Sequence, residues 1–183
     1  MNSHKPFTLT VPVDSTDHRL GSPHAPVTVV EYGDLECPNC RQAVTGVKLL
    51  LTRYGNRVCF AYRHFPLEEV HPHAELAAEA AECAGAQGRF WEMHDLLFEN
   101  QSHLKLEHLL GYAERLQLDM ARFAAELTDH VYLQRVREHL QSGRDSGVRS
   151  TPAFFVNGAI QDVSFGMDSL FKAVEAAQHQ PAR

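Results

Sequence analysis

The sequence predicts an α/β fold built in two parts: a β-α-β run, a long helical block, and a closing β-β-α run. Short β-rich segments bounded by Pro or Gly stand at 27–32, 57–65 and 153–156. Between them, from His71 to about Ser146, the composition is almost wholly helical. The 183-residue length suits one domain carrying an insertion.

Residues 1–26 are rich in Pro, Ser, Thr, Asp and His and read as a lead-in, with one edge strand around 7–11 between Pro6 and Pro12. Val27-Thr28-Val29-Val30-Glu31-Tyr32, bounded by Pro26 and Gly33, reads as a buried central strand. The loop 33–36 then delivers Cys37, and a helix runs from Pro38 to about Tyr54. Proline suits the first helical position because its missing N–H would have no partner there. Val44, Val47, Leu50 and Leu51 fall at helical spacing and form the expected packing face. Gly55-Asn56 ends the helix, and a strand over 57–65 is closed by Pro66.

Helices are expected over 74–86, 89–100, 106–116, 119–127 and 131–141. Ser150-Thr151-Pro152 leads into the strand Ala153-Phe154-Phe155-Val156, the turn pair Asn157-Gly158, and a partner strand near 159–163. A helix over 167–177 closes the chain.

Composition excludes several classes. Hydrophobic residues at 44% and charged residues at 22% are ordinary for a globular protein. No stretch approaches the roughly 20 apolar residues that span a bilayer, so integral membrane placement is not expected. The net charge of −6, with no Lys/Arg cluster longer than a pair, argues against a nucleic-acid partner. The N-terminal residues lack the apolar core of a secretory signal, so the expected compartment is the cytoplasm, or an exported setting if the chain is a processed form. Of twelve histidines, His94, His103, His108, His130 and His139 read as solvated helix-surface residues.

Four cysteines do not make a disulfide scaffold in a chain of 183 residues. Two of them form Cys37-Pro38-Asn39-Cys40 at a strand-to-helix junction. Thiols three positions apart can close into a small disulfide ring, and a helix start favours the thiolate of Cys37 through its unpaired N–H groups and dipole. Such placement brings a cysteine pKa from about 8.5 into the range of roughly 3.5–7.5. Cys40, one turn on, is the resolving thiol. The competing reading, half of a zinc site, needs two more ligands, and neither Cys59 nor Cys83 has a close Cys or His to form a second pair. No metal site is therefore assigned, and no cofactor. Cys59 and Cys83 read as inert packing residues, with an auxiliary thiol or a second disulfide as the alternative. His71-Pro72-His73 reads as a turn opening a helix rather than as a metal site. Glu31 is an acid at the end of an apolar strand, a costly place unless it lies near the surface or has a task.

Three segments together resemble the DsbA-like branch of the thioredoxin superfamily: Glu31 through Cys40 (EYGDLECPNC), Ala86 through Phe98 (AQGRFWEMHDLLF), and Gly147 through Gly158 (GVRSTPAFFVNG). The likeness runs from about Gly21 to the last helix. It implies a thioredoxin-like core, 1–66 and 147–183, interrupted between its second and third core strands by a helical domain over 67–146. It also implies a thiol–disulfide oxidoreductase with Cys37 attacking, Cys40 as buried partner, and Glu31 managing the proton of Cys40. Pro152 matches the family's cis-proline, Thr151 the residue whose backbone pairs with a bound peptide, and Pro38 and Asn39 lie beside the substrate. The implied partners are protein thiols or disulfides, or glutathione, with a redox-partner protein. The Pro-Asn dipeptide replaces the Pro-His of strongly oxidising periplasmic members, which implies a less oxidising pair. A metal-handling protein and a non-redox peptide-binding module on the same fold are the alternatives.

Overall fold

A computed structural model of the chain describes residues 7–179. These form two compact units, one from residues 7–33, 42–63 and 141–179, the other from Asp34–Arg41 and His64–Leu140.

The first unit carries a five-stranded sheet in the order β1-β3-β2-β4-β5: β1 is His18–Gly21, β2 Val27–Gly33, β3 Val58–His64, β4 Ala153–Val156 and β5 Ala159–Gln161. β1 pairs antiparallel with β3, and β4 pairs antiparallel with both β2 and β5. The central strands are buried almost throughout, which is why 153–156 reads as a continuous apolar run and 27–32 as an apolar stretch broken only by Thr28 and Glu31. Phe154 and Phe155 lose all exposure, each worth about 1.5–3 kcal/mol of transfer free energy.

Helix α1, Pro38–Tyr54, buries Ala43, Val47, Leu50 and Tyr54 at helical spacing, while Val44 and Leu51 remain partly exposed. Helix α7, Asp168–Gln178, packs on β2 and β4, and its Phe171 ring lies 6.4 Å from that of Tyr54.

Two expectations change in this unit. The strand expected at 7–11 is a single bridge, Thr8 to Ala159; Pro6 lies outside the described residues. The Thr10 N–H donates to the Ser146 hydroxyl at 3.0 Å instead of joining a ladder. The edge strand lies instead at β1, inside the stretch that the sequence reads as lead-in. It ends on Gly21 at φ +82°, where an added Cβ would stand 2.1 Å from the Val58 carbonyl oxygen, so only glycine fits.

The second unit is helical: α2 Ala74–Gly85, α3 Phe90–Glu99, α4 Leu106–Arg115, α5 Met120–Thr128 and most of α6, Leu133–Asp145. α2 packs against α3, α4 and α5. Its alanines 74, 77, 78, 80, 81 and 84 are all buried, and small side chains let three helices approach one another. Asp119 caps α5 by accepting the Arg122 N–H at 3.0 Å. Among the described residues no helix is long and apolar enough to cross a membrane.

Candidate active site

The apolar run of β2 ends at Gly33, the loop 34–37 follows, and α1 begins at Pro38, so Cys37 stands immediately before the first helical residue. The Cys37 N–H donates to the Asp34 carbonyl at 3.1 Å, and the Cys37 carbonyl accepts the Arg41 N–H at 3.2 Å, closing the first turn. Cys37 is 5% exposed and Cys40 is fully enclosed. The two sulfurs belong to residues one turn apart at the positive end of a 17-residue helix, the arrangement that favours a thiolate. Pro38 and Asn39 between them are exposed.

Each residue of the loop before the helix is tied down. The Asp34 carboxylate accepts from the Glu36 N–H, the Leu67 N–H and His71 Nδ1, all at 2.8 Å. The Asp34 N–H in turn points at the Cys40 sulfur, 3.4 Å away. Glu36 takes the His73 N–H at 2.7 Å and His73 Nδ1 at 3.0 Å. The side-chain amide of Gln101 donates to the carbonyls of Leu35 and Cys37, both at 2.9 Å. The His71-Pro72-His73 turn is therefore a carboxylate clamp on the cysteine loop, a role that sequence reading missed. The signal was present as two acids, Asp34 and Glu36, spaced like two histidines, but only the fold brings them together.

In the sheet unit, β2 and β4 gather the remaining expected residues at one end. Glu31 is 3% exposed and sits opposite Phe154 in the ladder, and Tyr32 sits opposite Ala153. Thr151, also buried, and Pro152 immediately precede β4, and the peptide bond between them is cis. A groove of about 300 Å³ opens beside Pro152, lined by Val148, Arg149, Ala153, Ile160 and Val163 among others.

The other two cysteines are free, buried thiols. Burial pushes the Cys59 thiol up, and pushes Cys83 up to about 12, with the nearby Glu126, Glu79 and Glu82 carboxylates adding to the shift. Both are poor nucleophiles by this measure. The surface reading of the helix histidines holds only in part. His94 is buried and contacts the Phe98 ring, and His139 is half-buried and accepts the His64 N–H at 3.3 Å, while His130 is exposed as expected and donates to Glu79 at 3.0 Å. His64, Glu82 and His139 each place a ligand-type atom within 4.8 Å of the others. The Glu82 carboxylate is already shared between His64 Nε2 at 3.0 Å and Arg135 Nε at 2.8 Å, and the guanidinium opposes a cation there.

Residues 14–176 match the protein-family description Thioredoxin. The chain belongs to this family. A thioredoxin-like oxidoreductase from Silicibacter pomeroyi DSS-3 superposes with a TM-score of 0.81 at 26% identity, covering 92% of this chain and 95% of that one. The alpha-DsbA1 protein of Wolbachia pipientis gives 0.79 at 19% identity, covering 93% and 94%, a likeness of fold. A Na(+)/H(+) antiporter NhaA 1 of Salinispora arenicola is 51% identical over 170 residues, which is 92% of this chain and 26% of the antiporter. The chain thus spans about a quarter of the length of the curated relatives it matches.

Proposed function

We propose that the chain exchanges thiols and disulfides, with Cys37 as the attacking sulfur and Cys40 as the resolving one. The observation that carries this reading is the cysteine pair at the start of α1, the first residue just outside the helix and the second one turn in. In the reducing direction the Cys37 thiolate attacks a substrate disulfide, forming one mixed S–S bond and expelling one substrate thiolate. Cys40 then attacks the Cys37 sulfur, expels the second substrate thiolate and leaves the Cys37–Cys40 disulfide. The two electrons and two protons of the dithiol end on the substrate, and oxidation runs the same steps backwards. No metal or organic cofactor enters either direction.

Glu31, buried in β2, is the carboxylate we assign to moving the proton of Cys40. The substrate is an extended polypeptide paired with the backbone of Thr151, passing Pro152 and the exposed Pro38 and Asn39, or a small disulfide such as glutathione. Residues 67–146 act as the inserted helical domain. Asn39 in place of histidine removes a group that stabilises the Cys37 thiolate, so the pair is less oxidising than the periplasmic DsbA proteins. Its direction follows the compartment: reductase or isomerase in the cytoplasm, where we place it, and oxidant in an exported form.

A second reading rests on the 51% match to part of a protein named as a Na(+)/H(+) antiporter: the pair serves a membrane transporter. A Cys40→Ser variant, which cannot resolve its mixed disulfides, separates the two. Partners trapped in the soluble fraction support the general reading, and partners trapped in the membrane fraction support the second. The activity itself is tested by reduction of a fluorescent peptide disulfide under a dithiol feed. Cys37→Ser is expected to abolish turnover, and unchanged turnover overturns the proposal.

A further inference from the structure

We propose that His71, acting through Asp34, is a positioning residue that sets the reduction potential of the Cys37–Cys40 pair; this rests on the redox reading above. The link is a relay of hydrogen bonds within one compact unit. His71 Nδ1 lies 2.8 Å from Asp34 Oδ2, and the Asp34 side chain has no exposure. A buried carboxylate must be saturated with donors to be tolerated. Here His71 and the Leu67 N–H serve Oδ2, and the Glu36 N–H serves Oδ1. That grip fixes Asp34 through both of its flanking peptide groups. Its carbonyl holds the Cys37 N–H at 3.1 Å, and its own N–H faces the Cys40 sulfur at 3.4 Å.

An N–H aimed at sulfur favours the reduced, charged form of that sulfur, because a thiolate is a far stronger acceptor than a disulfide sulfur. The same contact readies Cys40 to leave or attack as a thiolate. His71 touches neither cysteine in this relay, and its effect passes through the orientation of one peptide group. Loss of its donor leaves one carboxylate oxygen with a single remaining partner and frees the Asp34 peptide to rotate away from Cys40. Two consequences follow. The disulfide gains relative to the dithiol, and Cys40 attacks a Cys37 mixed disulfide more slowly.

The test equilibrates the whole chain with reduced and oxidised glutathione and counts oxidised Cys37–Cys40 by acid quench, alkylation and mass spectrometry. The reaction is dithiol plus glutathione disulfide giving protein disulfide plus two glutathione thiols. His71→Ala is expected to shift that equilibrium about tenfold towards protein disulfide, about 30 mV more negative for a two-electron couple. The quenched Cys37–glutathione mixed disulfide is expected to persist about tenfold longer. His71→Asn, whose amide nitrogen stands as many bonds from Cβ as Nδ1 does, restores both values. If His71→Ala fails to fold by circular dichroism, His71→Gln, which carries its donor one bond further out, replaces it with the same expected shifts. A wild-type protein that cycles with an unshifted His71→Ala (or replacement) overturns the positioning role, as does an Asn variant that behaves like Ala. A wild-type protein that forms no reversible disulfide overturns the redox reading itself, a distinguishable outcome.

Discussion

Asp17 and Arg63 meet in the sheet unit with side chains only 4% and 3% exposed, and the guanidinium has all five of its N–H donors engaged. Nε and Nη2 hold the two Asp17 oxygens at 2.8 and 2.9 Å, Nη1 holds the Val11 carbonyl and the Tyr32 hydroxyl at 2.8 and 3.1 Å, and Nη2 also holds the Pro12 carbonyl at 3.0 Å. Burial works against the cation, and the Asp17 and Tyr32 contacts more than reverse it, so the guanidinium pKa is raised. Asp17→Asn keeps the shape but removes the balancing charge and turns an amide NH₂ towards a donor. A buried ion left without its partner costs about 3–5 kcal/mol. For a chain of this length each kcal/mol lowers Tm by about 2–4 °C, so a fall of about 6–20 °C is expected. Urea unfolding followed by far-ultraviolet circular dichroism measures the free-energy loss directly. Adding Arg63→Met to Asp17→Asn is expected to cost less than the two separate losses summed, because the pair is one interaction. A loss below about 1 kcal/mol for Asp17→Asn, the range of an exposed pair, would refute the reasoning.

Three further outcomes follow from particular residues. With its thiol pushed up to about 12, Cys83 is about one part in ten thousand thiolate at pH 8, against about a quarter for an ordinary thiol. Even after the greater nucleophilicity of a basic thiolate, its alkylation in the native protein should run at least about 40-fold slower than in urea, and equal rates would contradict its placement. Gly33→Ala would set a Cβ 2.5 Å from the ring of Tyr62, itself fully buried, so a loss of about 1–3 kcal/mol is expected in urea, and a neutral substitution would be the contrary result. Burial raises the Glu79 carboxyl above its usual 4.5 despite the opposing His130 hydrogen bond. Its contribution to stability is present below that value and is lost as pH rises through the folded pKa. Glu79→Gln should therefore gain on the wild type as pH rises above that usual value, and a difference that moves the other way would count against the assignment.

Much of the fold was legible because the signals are local. The helix from Pro38 to Tyr54 and the strand Ala153–Val156 carry their boundaries in adjacent residues: proline at a helix start, Gly55-Asn56 at its end, and Asn157-Gly158 after the strand. β1 escaped because His18-Arg19-Leu20-Gly21 is a short, half-exposed edge with one apolar side chain, and its strand character comes from pairing with β3. The site divides the same way. Cys37 and Cys40 announce themselves by spacing, and Thr151-Pro152 by its place before an apolar strand. Asp34, His71 and Gln101 do not, because the hydrogen bonds that join them to one another or to Cys37 close loops of 37 and 64 residues. His94 looked like a surface residue because it was read apart from Phe98, one helical turn away, whose ring centroid lies 4.8 Å from its own.

The measurement that bears most directly on the cysteine pair is its own redox titration. The protein is equilibrated across glutathione buffers, quenched in acid, and its thiols are counted. A single reversible two-electron transition confined to Cys37 and Cys40 is expected, lying more negative than about −120 mV, the value of a strong periplasmic oxidant, and absent in Cys37→Ser. A pair that forms no reversible disulfide at any poise would contradict the assignment of Cys37 and Cys40 as the redox centre.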